Sequence, residues 1–301
     1  MIRATPCPCI AFAALFATAL LAATAQASSL PVRDGPGAKF DLPISGMLAG
    51  FPPGAQGHLD RSDLMALPTS VIDVTGKFGT ETKVARVLFL SDLVAALPAK
   101  PGADVLLASC TDGYLSVYPF EFIRRYRPYL VLQLGDRGPE RWPPPGLAFN
   151  PAPFAIDASA ALAAGVEEYR DIGHKRPWGV VSVRLSSMQE SFGAFFRGRW
   201  ASPSPEAAAG REIWINSCAS CHPGPPGAIG GTKSGRPMEI VQAIAGANRS
   251  FFMQYVRQPT SLDPAAKMEP HPWYSDAEFD QLIAFLTTPA AGLAADSGRP
   301  R

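Results

Sequence analysis

Between residues 30 and 200 short apolar and β-branched runs recur, at 71–74, 84–90, 105–108, 114–117, 129–134 and 180–185, separated by Gly, Pro and Asp. Runs of this length bounded by turn residues predict strands. Two short helices fit between them, one at 91–97 opened by Ser91-Asp92 and one around 158–164. Past residue 205 the period changes. Phe279, Leu282, Ile283, Phe285 and Leu286 recur at helical spacing behind Ser275-Asp276-Ala277-Glu278, which has the form of a capping box, and Thr287-Thr288-Pro289 stops the run. A second helix-like run ends in Ile213-Trp214-Ile215-Asn216. The pattern predicts two domains, a mixed α+β part and an all-α part. Their boundaries fall at 28–200 and 206–290, joined by the Pro-rich linker 201–205, with 291–301 a tail.

Immediately after the second run comes Cys218-Ala219-Ser220-Cys221-His222. Cys-x-x-Cys-His is the attachment sequence of a c-type haem. Two cysteines three positions apart on one turn point the same way, so both sulfurs can reach the vinyl carbons on one porphyrin edge. His222 then offers an imidazole nitrogen to the iron. Two rivals use the same residues. A structural zinc site draws four ligands from paired clusters, and no second Cys-x-x-Cys is present. A thioredoxin-like dithiol follows a strand, whereas this motif closes a helical run and leads into Pro223-Gly224-Pro225-Pro226-Gly227.

The C-terminal part resembles a class I cytochrome c. Gly210, Trp214 and the 218–222 motif match that family's opening helix, in which a small residue and an aromatic pack on the closing helix. The resemblance implies a methionine as second axial ligand, in a loop near a proline. Lys267-Met268-Glu269-Pro270-His271-Pro272 is similar to that loop, making Met268 the distal ligand and His271 the alternative. Met238 and Met253 lie in helix-like runs, where Met is core filler. Paired His222 and Met268 leave the iron no vacant position, which implies electron transfer and not catalysis.

A second resemblance covers about 150 residues of the earlier part. Residues 87–93, then Ala108-Ser109-Cys110-Thr111-Asp112-Gly113-Tyr114, Tyr118-Pro119 and Lys175-Arg176-Pro177-Trp178-Gly179 occur in the order found in the molybdopterin-binding domain of the sulfite oxidase family. That resemblance implies a molybdopterin cofactor held by a cysteine from a loop upstream of Asp-Gly-Tyr. The corresponding stretch, 75–83, has no cysteine, so the expected outcome is the fold without its cofactor. Asp112-Gly113 also suits any tight hairpin. Cys110 reads as inert packing, with a metal, redox or partner role as alternatives.

Residues 1–27 read as a cleavable secretory signal. Arg3 precedes an apolar run at 10–25, and Ala25-Gln26-Ala27 is a small-x-small site; an uncleaved anchor is the rival reading. Export fits a haem attached outside the cytoplasm and places the protein in the periplasm without a stable membrane anchor. The 27 basic and 26 acidic residues exclude a general polyanion binder such as a nucleic-acid protein. The 31 prolines imply much loop. Arg124, Arg125 and Arg127 could clamp an anion or lie on a solvated helix face, and His174-Lys175-Arg176 could form a docking patch or plain surface. His58 lies in a Gly-rich loop without a clear role. The expectation is a periplasmic c-type cytochrome that receives electrons from a dehydrogenase and delivers them to a downstream cytochrome or oxidase, its first part docking the partner. The alternative is a molybdenum-dependent, sulfite-type oxidoreductase with a built-in haem acceptor.

Overall fold

The computed structural model describes residues 30–158 and 175–289, so the signal at 1–27, the helix proposed around 158–164, His174 and the 291–301 tail lie outside the described residues. Strands β1 (Arg33–Asp34), β2 (Leu42–Gly46), β3 (Gln56–Leu59), β4 (Ser70–Asp73), β5 (Val84–Phe89), β6 (Val105–Cys110), β7 (Leu115–Pro119), β8 (Tyr129–Leu134), β9 (Phe154–Asp157) and β10 (Trp178–Ser186) form one mixed sheet. Its order is β1-β3-β2-β10-β9-β8-β5-β4, and the β6–β7 hairpin branches from β10. Among the described residues only the β2–β10 pairing is parallel. β10 reaches three partners because one of its edges runs along β6 while the other meets first β9, at Trp178 and Val180, and then β2, from Val183 to Leu185.

The helices, among the described residues, are α1 (Arg61–Ala66), α2 (Leu90–Ala96), α3 (Phe120–Tyr126), α4 (Met188–Phe192), α5 (Pro205–Asn216), α6 (Met238–Ala247), α7 (Arg249–Arg257) and α8 (Asp276–Leu286). α2 lies where the sequence places it, but its cap is different. Phe89 stands at the N-cap with no side-chain bond, and the Leu90 N–H donates instead to the Pro128 carbonyl at 2.8 Å. α8 has its capping box: the Ser275 hydroxyl accepts from Glu278 N, and the Ser275 N–H donates to Glu278 Oε2. Such a cap contributes about 1 kcal/mol.

Strand alternation sends successive side chains to opposite faces. Along β6, Leu106, Ala108 and Cys110 enter a core shared with α1, α2 and α3. Val105 and Leu107 enter a different one, with Leu115 and Val117 of β7. That second core also contains Trp214 and Ile215 of α5, Phe252 and Val256 of α7, and Phe279, Leu282 and Phe285 of α8. A third core, over β5 and β8, is closed by Phe78 and Trp142 from loops.

This corrects the expected fold class. The C-terminal helices are not a separate all-α cytochrome c domain beside a molybdopterin-domain-like α+β domain. They form a layer on a curled ten-stranded mixed sheet, and the two parts share one core. The physical reason is β6 and β7, which are apolar on both faces and require cover on each. Just before the 201–205 segment Trp200 is buried against Phe195 and Phe285, its indole N–H donating to the Phe285 carbonyl at 3.2 Å.

Within the helical layer α5 crosses α8 at Gly210. A Cβ there would lie 1.9 Å from the Gln281 carbonyl oxygen, so only glycine permits this approach. The expected packing of Gly210 and Trp214 on the closing helix is therefore met. Leu107, 2% exposed, should report on the shared core. Leu107→Ala should cost about 2–5 kcal/mol. In urea, probes on the sheet and on the helices should shift together in one transition; loss confined to the sheet signal would contradict a common core.

Candidate functional site

α5 is built to deliver the motif. Ser204 caps it, its hydroxyl accepting from Ala207 N at 3.1 Å, and Pro205 occupies the first turn, where a missing N–H costs nothing. The helix ends at Asn216, and Cys218–Ser220 form one tight 3-10 turn. Cys221 N and His222 N both donate to the Cys218 carbonyl, at 3.1 and 2.9 Å. The turn thereby brings the two thiols and the imidazole to one cavity of about 590 Å3. That volume falls in the usual range for a cofactor site, roughly 300–1,000 Å3.

The loop at 230–236 is laced to the motif. Gly231 N donates to the Ala219 carbonyl at 2.7 Å and Ser234 N to the Cys221 carbonyl at 2.9 Å. Arg236 then presents its carbonyl to His222 Nδ1 at 2.8 Å. A carbonyl only accepts, so Nδ1 carries the proton and Nε2 keeps the lone pair. Burial holds the His222 pKa below its ordinary value, which keeps the ring neutral, the form that ligates a metal.

Met268 and His271, from the loop before α8, line the same cavity. His271 is buried and stacked on Tyr274, with ring centroids 5.2 Å apart. Its backbone N–H donates to the Val256 carbonyl, tying the loop to α7. Met238 and Met253 are core side chains, 1% and 7% exposed, and do not line the cavity, in keeping with the filler role expected of them. Val241, Ile244, Phe252 and Leu282 supply the apolar wall.

Sequence reasoning missed two contributors. Trp214 was legible only as a packing residue. Fully buried on the cavity wall, its indole Nε1–H has no acceptor among the described residues, so a cofactor bearing a carboxylate or another acceptor would satisfy it. Lys233 also lines the cavity, and nothing in its sequence context singled it out. The residues present therefore fit an acceptor-bearing group that two thiols and an imidazole could hold.

The rival chemistries find less support. Burial pushes the Cys221 thiol up to about 11, unlike an activated dithiol. Among the described residues the one cluster of three metal-capable side chains is Asp41, His58 and Asp60, on the sheet and not at the motif. Its groups are already committed. Asp41 accepts from Ala38 N and Arg61 N, Asp60 pairs with Arg33 at 3.0 Å, and His58 meets the Gly35 carbonyl and Asp60.

Other sequence candidates lie elsewhere. Cys110 belongs to the sheet core, its thiol pushed up to about 12 by burial, and does not line the cavity. Arg124, Arg125 and Arg127 are exposed on or just after α3. The Lys175-Arg176 pair is not a surface patch: Lys175 is 1% exposed and donates to the Val117 carbonyl, and Arg176 Nε binds Asp157 at 2.7 Å. Among the described residues no helix is long and apolar enough to cross a membrane.

Neither the models of known protein families nor the curated proteins include a match to this chain. In the cofactor-free protein the His222 imidazole should titrate below 6.5, its ordinary value. A buried group whose pKa falls on folding stabilises the fold above its unfolded pKa and withdraws that stability as pH drops below it. An NMR titration of the His222 ring reads this directly, and a midpoint above 6.5 would contradict the burial of the ring, since the Arg236 carbonyl bond acts in the opposite direction and is outweighed.

Proposed function

We propose that this protein is an electron carrier holding a single covalently bound haem, attached through Cys218 and Cys221 with His222 and Met268 as axial ligands. The observation that carries the reading is the convergence of two thiols, a neutral imidazole and a thioether on one cavity. Bound there, haem supplies an iron that alternates between ferrous and ferric states and so takes up and releases one electron.

The chain's own residues do the rest. The Cys218 and Cys221 sulfurs anchor the group, and the Arg236 carbonyl orients the His222 ring so that Nε2 is available. The Met268 thioether favours the ferrous state, and the apolar wall disfavours added positive charge, so both raise the potential. Trp214 offers its indole N–H to an acceptor at the edge of the group. With His222 and Met268 both engaged, a haem held here would have no vacant position for a substrate, which suits electron transfer.

The setting proposed is the periplasm, from the signal-like residues 1–27, because haem of this kind is attached outside the cytoplasm. The partners are redox proteins, a dehydrogenase as donor and a downstream cytochrome or oxidase as acceptor. Phe251, 40% exposed and lining the cavity, gives such partners an apolar approach.

Three experiments test this reading. Protein from the periplasm of a host able to make both haem c and molybdopterin should contain about one iron and no molybdenum per chain. Its haem should survive denaturing electrophoresis and be lost in the Cys218→Ser, Cys221→Ser double variant. Met268→Ala should lower the reduction potential and abolish the sulfur-to-ferric charge-transfer absorption; an unchanged spectrum would move the distal role to another residue, His271 first.

A further inference from the structure

The β6–β7 turn reaches across to the cavity wall. Gly113 sits at its tip with φ +82°, its N–H donating to the Cys110 carbonyl at 3.1 Å. The Gly113 carbonyl accepts from Thr232 N at 2.8 Å. A Cβ at Gly113 would lie 2.5 Å from Thr232 Oγ1, so the position demands glycine on both counts. Asp112 is oriented by accepting from Tyr114 N at 3.1 Å, and its other oxygen binds Lys233 Nζ at 2.9 Å. The ammonium also lies 5.6 Å from the Tyr114 ring centroid. Lys233 lines the cavity, whereas Asp112 does not. The next residue, Ser234, is hydrogen-bonded to the Cys221 backbone.

We propose that Lys233, held at the cavity wall by Asp112 of the sheet, tunes the reduction potential of the group carried by Cys218, Cys221 and His222. The inference rests on the haem reading and adds to it a role for the sheet as an electrostatic wall of the site. A positive charge beside the iron disfavours the ferric state, which carries one more unit of charge, and therefore raises the potential. Asp112 offsets part of that effect from farther off. It also fixes the ammonium in place, because the Thr232–Gly113 hydrogen bond and the Asp112–Lys233 pair act on adjacent residues. Both side chains are partly exposed, so water screens the effect and keeps it modest.

Removing either charge should move the potential, and the two removals should move it in opposite directions. At a fixed solution potential Lys233→Gln should lower the ferrous-to-ferric ratio roughly three- to tenfold, and Asp112→Asn should raise it by a smaller factor. Asn keeps the acceptor for Tyr114 N, and Lys233→Arg should restore the wild-type ratio, so a fold defect is separable from a charge effect. Spectroelectrochemistry of the four haem-loaded proteins reads these ratios without any turnover assay. Shifts of the same sign, or no shift, in a haem-loaded wild type and its variants would overturn the role of Lys233 and leave the haem reading standing. Wild-type protein free of covalent haem would overturn both.

Discussion

Everything in the site depends on a backbone approach at Gly210. With no side chain there, α5 can lie close enough to α8 for its α-carbon to press on the Gln281 carbonyl. That crossing orients Trp214 and Ile215 into the core and aims the end of α5, with Cys218 and Cys221, at the cavity. α8 in turn is fixed by its capping box and by Phe279, Leu282 and Phe285, all buried against the same core. Val105, Leu107, Leu115 and Val117 of the sheet fill its floor. The site is thus supported on one side by helices and on the other by a hairpin of the sheet.

Much of this was written in the sequence. Short apolar runs marked β4 to β8 and β10 to within a few residues, and the capping-box pattern marked α8. The motif at 218–222 and Met268, singled out from the sequence, line one cavity. β2 and β3 gave no such signal because their apolar content is low: Leu42–Gly46 carries Pro43, and Gln56–Leu59 begins with Gln and Gly.

The larger miss was architectural. A Pro-rich stretch and a change of period suggested two independent cores, yet Val105, Leu106, Leu107 and Ala108 form an unbroken apolar run, the mark of a strand covered on both faces. Periodicity along one segment cannot name the element that covers it. For the same reason Lys175 and Arg176 looked like surface; only the tertiary fold places Lys175 at the Val117 carbonyl and Arg176 at Asp157. The Trp214 indole and the Asp112–Lys233 pair likewise arise from contacts between distant segments.

β10 is the last of the described strands and joins β2, β6 and β9, so the sheet is complete only when it is in place. Its parallel pairing with β2 links one of the earliest strands to the latest, a contact of high sequence separation that is slow to form. Until then the inner face of β2, with Leu42 and Ile44, has only β3 beside it. The helical layer follows directly and needs β6 and β7 in place to close its core. The β6 and β7 floor of the cavity is thus joined through β10 to the β2–β10 pair, the one of largest sequence separation among the described strand pairs.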